Sequence, residues 1–540
     1  MQMVEFIRCY FAGRFHTSAR PMWISSLAFI VLTLICIPFL TFEFAHTSPF
    51  SEILKMLIGL TKPNFIIPDL LSALVNTVVF SLEAVTISVL FGFIFAQLYN
   101  FTGMRVLMSF IRSIHELFWA LLLIQLFGLT SLTGILALAI PFSATFARVF
   151  AEIQQEIPKL NYHQINGTHF SRFIYTTLPL AWPRIASYCR YRLECALRAS
   201  VVLGFIGLPT IGFQLEGYLK LGKYPEVAAL IFIFILLVLT MRFWVNRFVL
   251  PCLLVFSFIW LPPTTHTKID AEDGSNTEEI SAWETHNFNR LLVDITPAPL
   301  KYIENEGLQN GEEINQRMFQ LWHWFIEIAE TQILPGIGYT LLLGQFAFAL
   351  SAFLALLLFP LLSKNMVKQK YFRCIGNFTL TSIRCLPELL LAFICLIILG
   401  PSLLPGILAI GIHNGALLAH LVGLHSNEIR LRHDIDTAPN TYFFELLPRI
   451  YGQFLAFTLY RGETILRETA ILGILGIPTL GFYIDSAFEE FRLDRAFLLI
   501  LVSAMLNIFA EILATQCRKY IHSHKPNIEI DLLVTKRNSL

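Results

Sequence analysis

The chain has 540 residues, 55% hydrophobic and 14% charged, with a formal net charge of +1 at pH 7. Soluble domains carry about 25% charged residues, so a string of soluble domains is excluded, and a near-neutral chain offers no bulk basic field for nucleic acid. Nine cysteines lie in or beside apolar stretches without a CxxC pair, which argues against a disulfide framework or a structural zinc site.

A bilayer core about 30 Å thick needs about 20 apolar residues per helix. Such stretches recur near 22–42, 71–97, 109–128, 132–150, 185–208, 226–246, 247–261, 333–360, 376–400, 404–423, 454–477 and 495–516. The expectation is an all-α polytopic membrane protein of about twelve transmembrane helices. The first stretch follows Arg8, Arg14 and Arg20 and has no small-residue cleavage site behind it, so it reads as a retained span. Stretch 185–208 is unusual in carrying Arg190, Arg192, Glu194 and Arg198, and 247–261 is short and holds Pro251.

With both termini cytoplasmic, the inner loops collect Arg105, Arg172, Arg184, Lys364, Lys368, Lys370, Arg430, Arg432 and Arg518, as the positive-inside rule requires. Segment 262–330 then lies outside and is acidic, with Asp270, Asp273, Glu278, Glu279, Glu312 and Glu313 among its charges. Its aromatic run of Phe319, Trp322, Trp324 and Phe325 reads either as an interfacial helix leading into the membrane or as a small packed cap.

Internal similarity is the strongest signal in the chain. At an offset of 272, Arg112, Glu116 and Leu117 align with Arg384, Glu388 and Leu389, and Gly134-Ile-Leu-Ala137 with Gly406-Ile-Leu-Ala409. At an offset of 269, Leu178-Pro179 aligns with Leu447-Pro448, Arg192 with Arg461, Glu194 with Glu463 and Arg198 with Arg467. The second block runs on as Leu203 to Phe213 against Leu472 to Phe482, identical at seven of eleven positions without a gap. The chain is read as a tandem duplication. Residues 1–247 form the first repeat, with core 71–247, and residues 248–540 the second, with core 333–516 and the outer segment 262–330. About six spans per repeat give both copies the same orientation, with a pathway between them.

Ionisable groups inside spans are costly and need a partner or a wet surface. The pairs Arg112 and Glu116, Glu194 and Arg198, Arg384 and Glu388, and Glu463 and Arg467 are each four residues apart, the spacing of one helical face. With Arg192 and Arg461 they suggest the lining of a central cavity, or else ion pairs that pin helices together. Gly204, Gly207, Pro209 and Gly212, and their counterparts Gly473, Gly476, Pro478 and Gly481, would break a helix at membrane depth, as a gate-forming turn or as an exit turn with close packing. His413, Asn414 and His420 form a polar stripe read first as interhelical hydrogen bonding. The sequence contains no GxxxxGK[ST] phosphate loop, nucleophile elbow or HExxH, so the chain is expected to be neither an ATPase nor another enzyme, with no cofactor and no metal.

These motifs resemble those of permease subunits of bacterial ATP-binding-cassette (ABC) importers, most closely the phosphonate and phosphate type. That family carries Tyr-Arg-x-Glu-x-x-x-Arg running into Leu-Gly-x-x-Gly, which stands here from Tyr191 to Gly207 and again from Tyr460 to Gly476. The resemblance covers roughly 71–247 and 333–516, and it implies two permease halves fused in one chain. It further implies two cytoplasmic ATP-binding subunits, a periplasmic solute-binding protein, an inner-membrane location and a small oxyanion as solute. The ATPase-coupling loops would fall near Gly167, Leu178 and Pro179 in repeat one and near Asp436, Leu447 and Pro448 in repeat two. His115 stands where the family has proline, while repeat two keeps Pro387. The alternatives carried forward are a proton-coupled secondary transporter and a non-transporting membrane scaffold.

Overall fold

The computed structural model describes residues 19–39, 49–157, 171, 173–246, 248–260, 285–304, 311–429, 431 and 438–523. Backbone in lipid must satisfy its own hydrogen bonds, and the described residues do so as helices, without a strand. Two helices lead, α1 (Ala19–Cys36) and α2 (Pro49–Thr61). A first bundle follows: α3 (Leu70–Gln97), α4 (Thr102–Ser113), α5 (Glu116–Phe127), α6 (Ser131–Glu156), α7 (Leu178–Gly204), α8 (Ile211–Lys220) and α9 (Tyr224–Trp244). Next come α10 (Val249–Trp260), α11 (Thr285–Ile295) and α12 (Gly311–Ile328). A second bundle then has α13 (Leu334–Leu358), α14 (Lys370–Cys385), α15 (Glu388–Leu399), α16 (Leu403–Ser426), α17 (Leu447–Glu468), α18 (Leu480–Glu489) and α19 (Leu493–Ser523).

Six helices among the described residues are long and apolar enough to cross a bilayer, and nine if each of three bent pairs counts as a span. The sequence reading expects about twelve, a count the described residues do not reach, and several of the expected stretches take another form. Stretch 109–128 is not one helix but α4 and α5, bent by 89°, and 376–400 is α14 and α15, bent by 88°. The bend at Pro387 is expected, because proline lacks an N–H and forces the preceding residue extended. His115 adopts the same backbone (φ −66°, ψ 146°, against −61° and 144°), and its Nδ1 accepts the Leu117 N–H at 3.1 Å, capping α5. Helix α10 is only 12 residues long, short of a span. The stretch expected at 333–360 begins much earlier, since α12 runs through one π turn into α13 as a 47-residue apolar unit from Asn315 to Leu361. The aromatic run is therefore helical, with Phe319 and Trp322 exposed.

The two bundles use the same devices in the same order. In each, the long helices α3 and α6, or α13 and α16, pack along one another. Thr77 of α3 and Thr340 of α13, both buried, accept the first backbone N–H of α8 (Ile211) and of α18 (Leu480), each at 3.0 Å. The leading helices cross over. Helix α1, which precedes the first bundle, packs on α13 and α17 of the second, through Gln345 to Thr33 (3.1 Å), Ser26 to Tyr451 (2.8 Å) and the edge-on rings of Phe29 and Phe348. Helix α10, which precedes the second bundle, packs on α3 of the first, where Trp260 donates to Asn76 at 3.1 Å. A shared apolar core joins the bundles, with Phe205 and Phe393 edge to face across it.

Candidate functional site: a charged cavity between the two bundles

The charged side chains concentrate where the bundles meet. Helix α7 and its counterpart α17 are too polar to lie against lipid, because an arginine at bilayer depth costs about 2.5–3.5 kcal/mol even on the lenient scales. Arg192 and Arg198 of α7 and Arg461 and Arg467 of α17 line a cavity of about 130 Å³, walled by α4 to α7 from one side and by α15 and α17 from the other. Its wall holds Arg112, Arg192, Arg198, Arg461 and Arg467 against Glu116, Glu388, Glu463 and Glu468, with His115, Tyr188, Tyr191 and Tyr460. Eight of the ten charged residues singled out in the sequence lie on this wall. The other two, Glu194 and Arg384, approach each other to 3.5 Å nearby.

The pairing differs from the spacing-based expectation. None of the four pairs Arg112 and Glu116, Glu194 and Arg198, Arg384 and Glu388, or Glu463 and Arg467 closes within one segment. The breaks after Ser113 and Cys385 swing Glu116 and Glu388 onto new helix axes, so those pairs do not share a face. The carboxylates then serve the opposite bundle. Arg198 of α7 lies 3.5 Å from Glu388 of α15 and 2.8 Å from His413 Nε2, which itself sits 2.8 Å from Glu388. Glu194 of α7 faces Arg384 of α14. Arg467 of α17 donates to the backbone carbonyl of Arg112 at 2.9 Å.

Several partners lay outside the sequence-based selection. Glu511 of α19 binds Arg112, Arg148 (2.7 Å) and the Ser109 hydroxyl (3.1 Å), tying α19 to the first bundle. Glu468 pairs with Arg461 at 3.3 Å and accepts from Asn414 at 2.7 Å, while Asn414 Oδ1 accepts from Arg461 Nε at 2.8 Å. His413 and Asn414 thus make interhelical hydrogen bonds, and neither lines the cavity. A lone glutamate within the apolar stretch 495–516 was the available signal for Glu511.

The glycine turns are built for contact. Gly207 and Gly476 hold φ of +98° and +78°, which side-chain-bearing residues rarely adopt. At Gly212 and Gly481 a Cβ would stand 1.8 Å from the carbonyl oxygens of Val201 and Ala470. Each turn folds α8 or α18 back onto the end of the helix before it. Gly204 and Gly473 sit in the same contact, where a Cβ would press on Phe213 and Gly481 backbone. Leu178-Pro179 and Leu447-Pro448 open α7 and α17 behind a π turn, each with a half-buried leucine and an exposed proline. Gly167 and Asp436 lie outside the described residues.

Helices fit to cross a bilayer, gathered around a charged internal cavity, define a multi-pass membrane protein. Known proteins agree. Over 177 residues the chain is 30% identical to the phosphite transport system permease protein PtxC of Stutzerimonas stutzeri, a match covering 31% of this chain and 64% of PtxC. It is 23% identical over 425 residues to the phosphate-import permease protein PhnE of Mycolicibacterium smegmatis, covering 74% of each. A third relative, the putative phosphite transport system permease protein HtxE of Stutzerimonas stutzeri, is 28% identical over 146 residues, 26% of this chain and 56% of HtxE. The matches thus span less than two thirds of PtxC and HtxE. No protein-family model and no solved structure matches. The relatives that the chain resembles are thus permease proteins of phosphite and phosphate import systems.

Proposed function

We propose that this chain forms the whole translocation pathway of an ATP-driven importer for a small oxyanion such as phosphite, phosphate or a phosphonate. The observation that carries the proposal is one cavity walled by five arginines drawn from both bundles. The bundles act as two permease repeats, about 71–247 and 333–516, in one chain. The matching element order, the paired threonine caps and the crossed leading helices support this. So does chain length, since 177 residues are 64% of PtxC, which makes that protein about half as long as this one. Both termini face the cytoplasm of a bacterial cell whose inner membrane holds the chain. Two ATP-binding subunits dock at the segments ahead of Leu178-Pro179 and Leu447-Pro448, and a periplasmic binding protein delivers the solute. Hydrolysis resides on the separate subunits.

Affinity purification of the tagged chain in mild detergent, with mass spectrometry and an ATPase assay of the eluate, tests this reading. A nucleotide-binding subunit should co-purify and be lost when both Leu-Pro pairs are replaced. A chain that elutes alone, in cells whose uptake collapses with the proton gradient, would replace the importer with a secondary carrier.

A further inference from the structure

The cavity's arginines are not equivalent. Arg112 is held by Glu511, Arg198 by Glu388 and His413, Arg461 by Glu468 and Asn414, and Arg467 by the Arg112 carbonyl. Arg192 differs from all of them, making no ion pair and no hydrogen bond among the described residues, although its Nε is buried. Its guanidinium carbon stands over the Phe142 ring, 4.1 Å from the centroid, with Tyr188 and Tyr191 on the same wall. A half-buried cation with a buried, unpartnered Nε is costly at membrane depth, and the fold tolerates it where a ligand completes it. An arginine stacked on an aromatic face keeps its edge free, and that edge offers the planar fork of N–H donors suited to a tetrahedral oxyanion.

We infer that Arg192 binds the transported oxyanion in the cavity, and that its repeat counterpart Arg461 does not. This rests on the transport reading above and deepens it by naming the coordinating residue. The site is one-sided because Glu468 and Asn414 occupy the donors of Arg461. Two further carboxylates on the wall, Glu116 and Glu463, lie more than 4 Å from any arginine nitrogen among the described residues, and one oxygen of Glu463 is buried without a partner there. Their charge keeps the anion from settling, as a conducting site requires. Arg198 and Arg467 are already engaged.

The test is uptake of radiolabelled inorganic phosphate and phosphite by cells in which variants replace the native full-length chain, with cells lacking the chain as background. The amount of monodisperse protein extracted from membranes reports folding. Arg192→Gln should extract like wild type yet lose at least tenfold of uptake. Arg192→Lys, which keeps the charge without the fork, should recover part of it. Should Arg192→Gln fail to reach the membrane, Arg192→Lys carries the test alone, with uptake expected well below wild type. Uptake at wild-type level in a folded Arg192→Gln, or in Arg192→Lys if only that folds, overturns the inference and leaves the transport reading standing. A wild-type chain that adds no uptake of either anion over background overturns both.

Discussion

Arg192 and Arg461 hold the same place in two matching helices, yet only Arg461 is neutralised. The same divergence recurs one shell out. In the second half of the cavity wall Arg461, Asn414 and Glu468 close a compact network, whereas in the first half Arg192 rests on Phe142. Arg112 reaches Glu511 on α19, but its counterpart Arg384 turns to Glu194 on α7. The sequence supplies the reason: at the same offset of 269, the position of α9 that matches Glu511 is Arg242, so no carboxylate stands there. The backbone keeps the pseudo-symmetry while the charges depart from it. Two repeats in one chain, as proposed above, would make this possible, since each half accepts substitutions the other need not share.

The sharpest way to break the comparison is at its most symmetric point. Gly212→Ala and Gly481→Ala each place a methyl on a backbone carbonyl that cannot withdraw without moving a helix end. Each should cost more than ~4 kcal/mol, the exceptional tail of single substitutions, and appear as loss of monodisperse protein on size exclusion. If one is tolerated and the other not, the turns are less alike than their backbones.

Glu388 sits on the seam, largely enclosed between Arg198 of the first half and His413 of the second. Removing one partner of a buried pair leaves the other charge unmatched, at about 3–5 kcal/mol. Glu388→Gln should therefore lower the unfolding midpoint in nanodiscs substantially, and Glu388→Gln with Arg198→Met should recover much of the loss.

The unequal locks on Arg112 and Arg384 predict unequal costs. Glu511→Gln strands both Arg112 and Arg148 and should destabilise by about 3 kcal/mol, at the low end for a buried pair. Glu194→Gln loosens one longer, partly solvated contact and should cost about 1 kcal/mol. Equal shifts in the two unfolding midpoints would remove the electrostatic asymmetry argued above.

What was legible in the sequence follows from what each signal depends on. Hydropathy exposed the helices because burial in lipid constrains every residue of a span. The repeat exposed the cavity wall because Tyr191 to Gly207 and Tyr460 to Gly476 carry charges where a span tolerates none without function. The bends hid in plain sight at Pro387, and more deeply at His115, whose ring nitrogen breaks the helix by capping the next one. Ion-pair partners were misread because the i,i+4 rule holds only along one unbroken helix, while Glu388 and Glu116 begin new ones. Thr77 and Thr340 left no signal, since a threonine in an apolar run usually bonds only its own helix.

His115 also yields the smallest and most discriminating prediction. If its role is local, His115→Pro should be nearly neutral, because its φ of −66° and the extended Ile114 before it (ψ 128°) already suit proline. The substitution surrenders the Nδ1 cap on Leu117, worth about 1 kcal/mol, and regains about 0.4–1 kcal/mol from a stiffer unfolded chain. His115→Ala surrenders the cap with no such return and should be less stable than His115→Pro by up to about 1 kcal/mol in the same unfolding assay. Should His115→Pro instead be the worse of the two, the imidazole's neighbour Glu116, 3.5 Å from Nε2 on the cavity wall, depends on it. The first half would then use a protonatable side chain at the bend where the second half has only a proline.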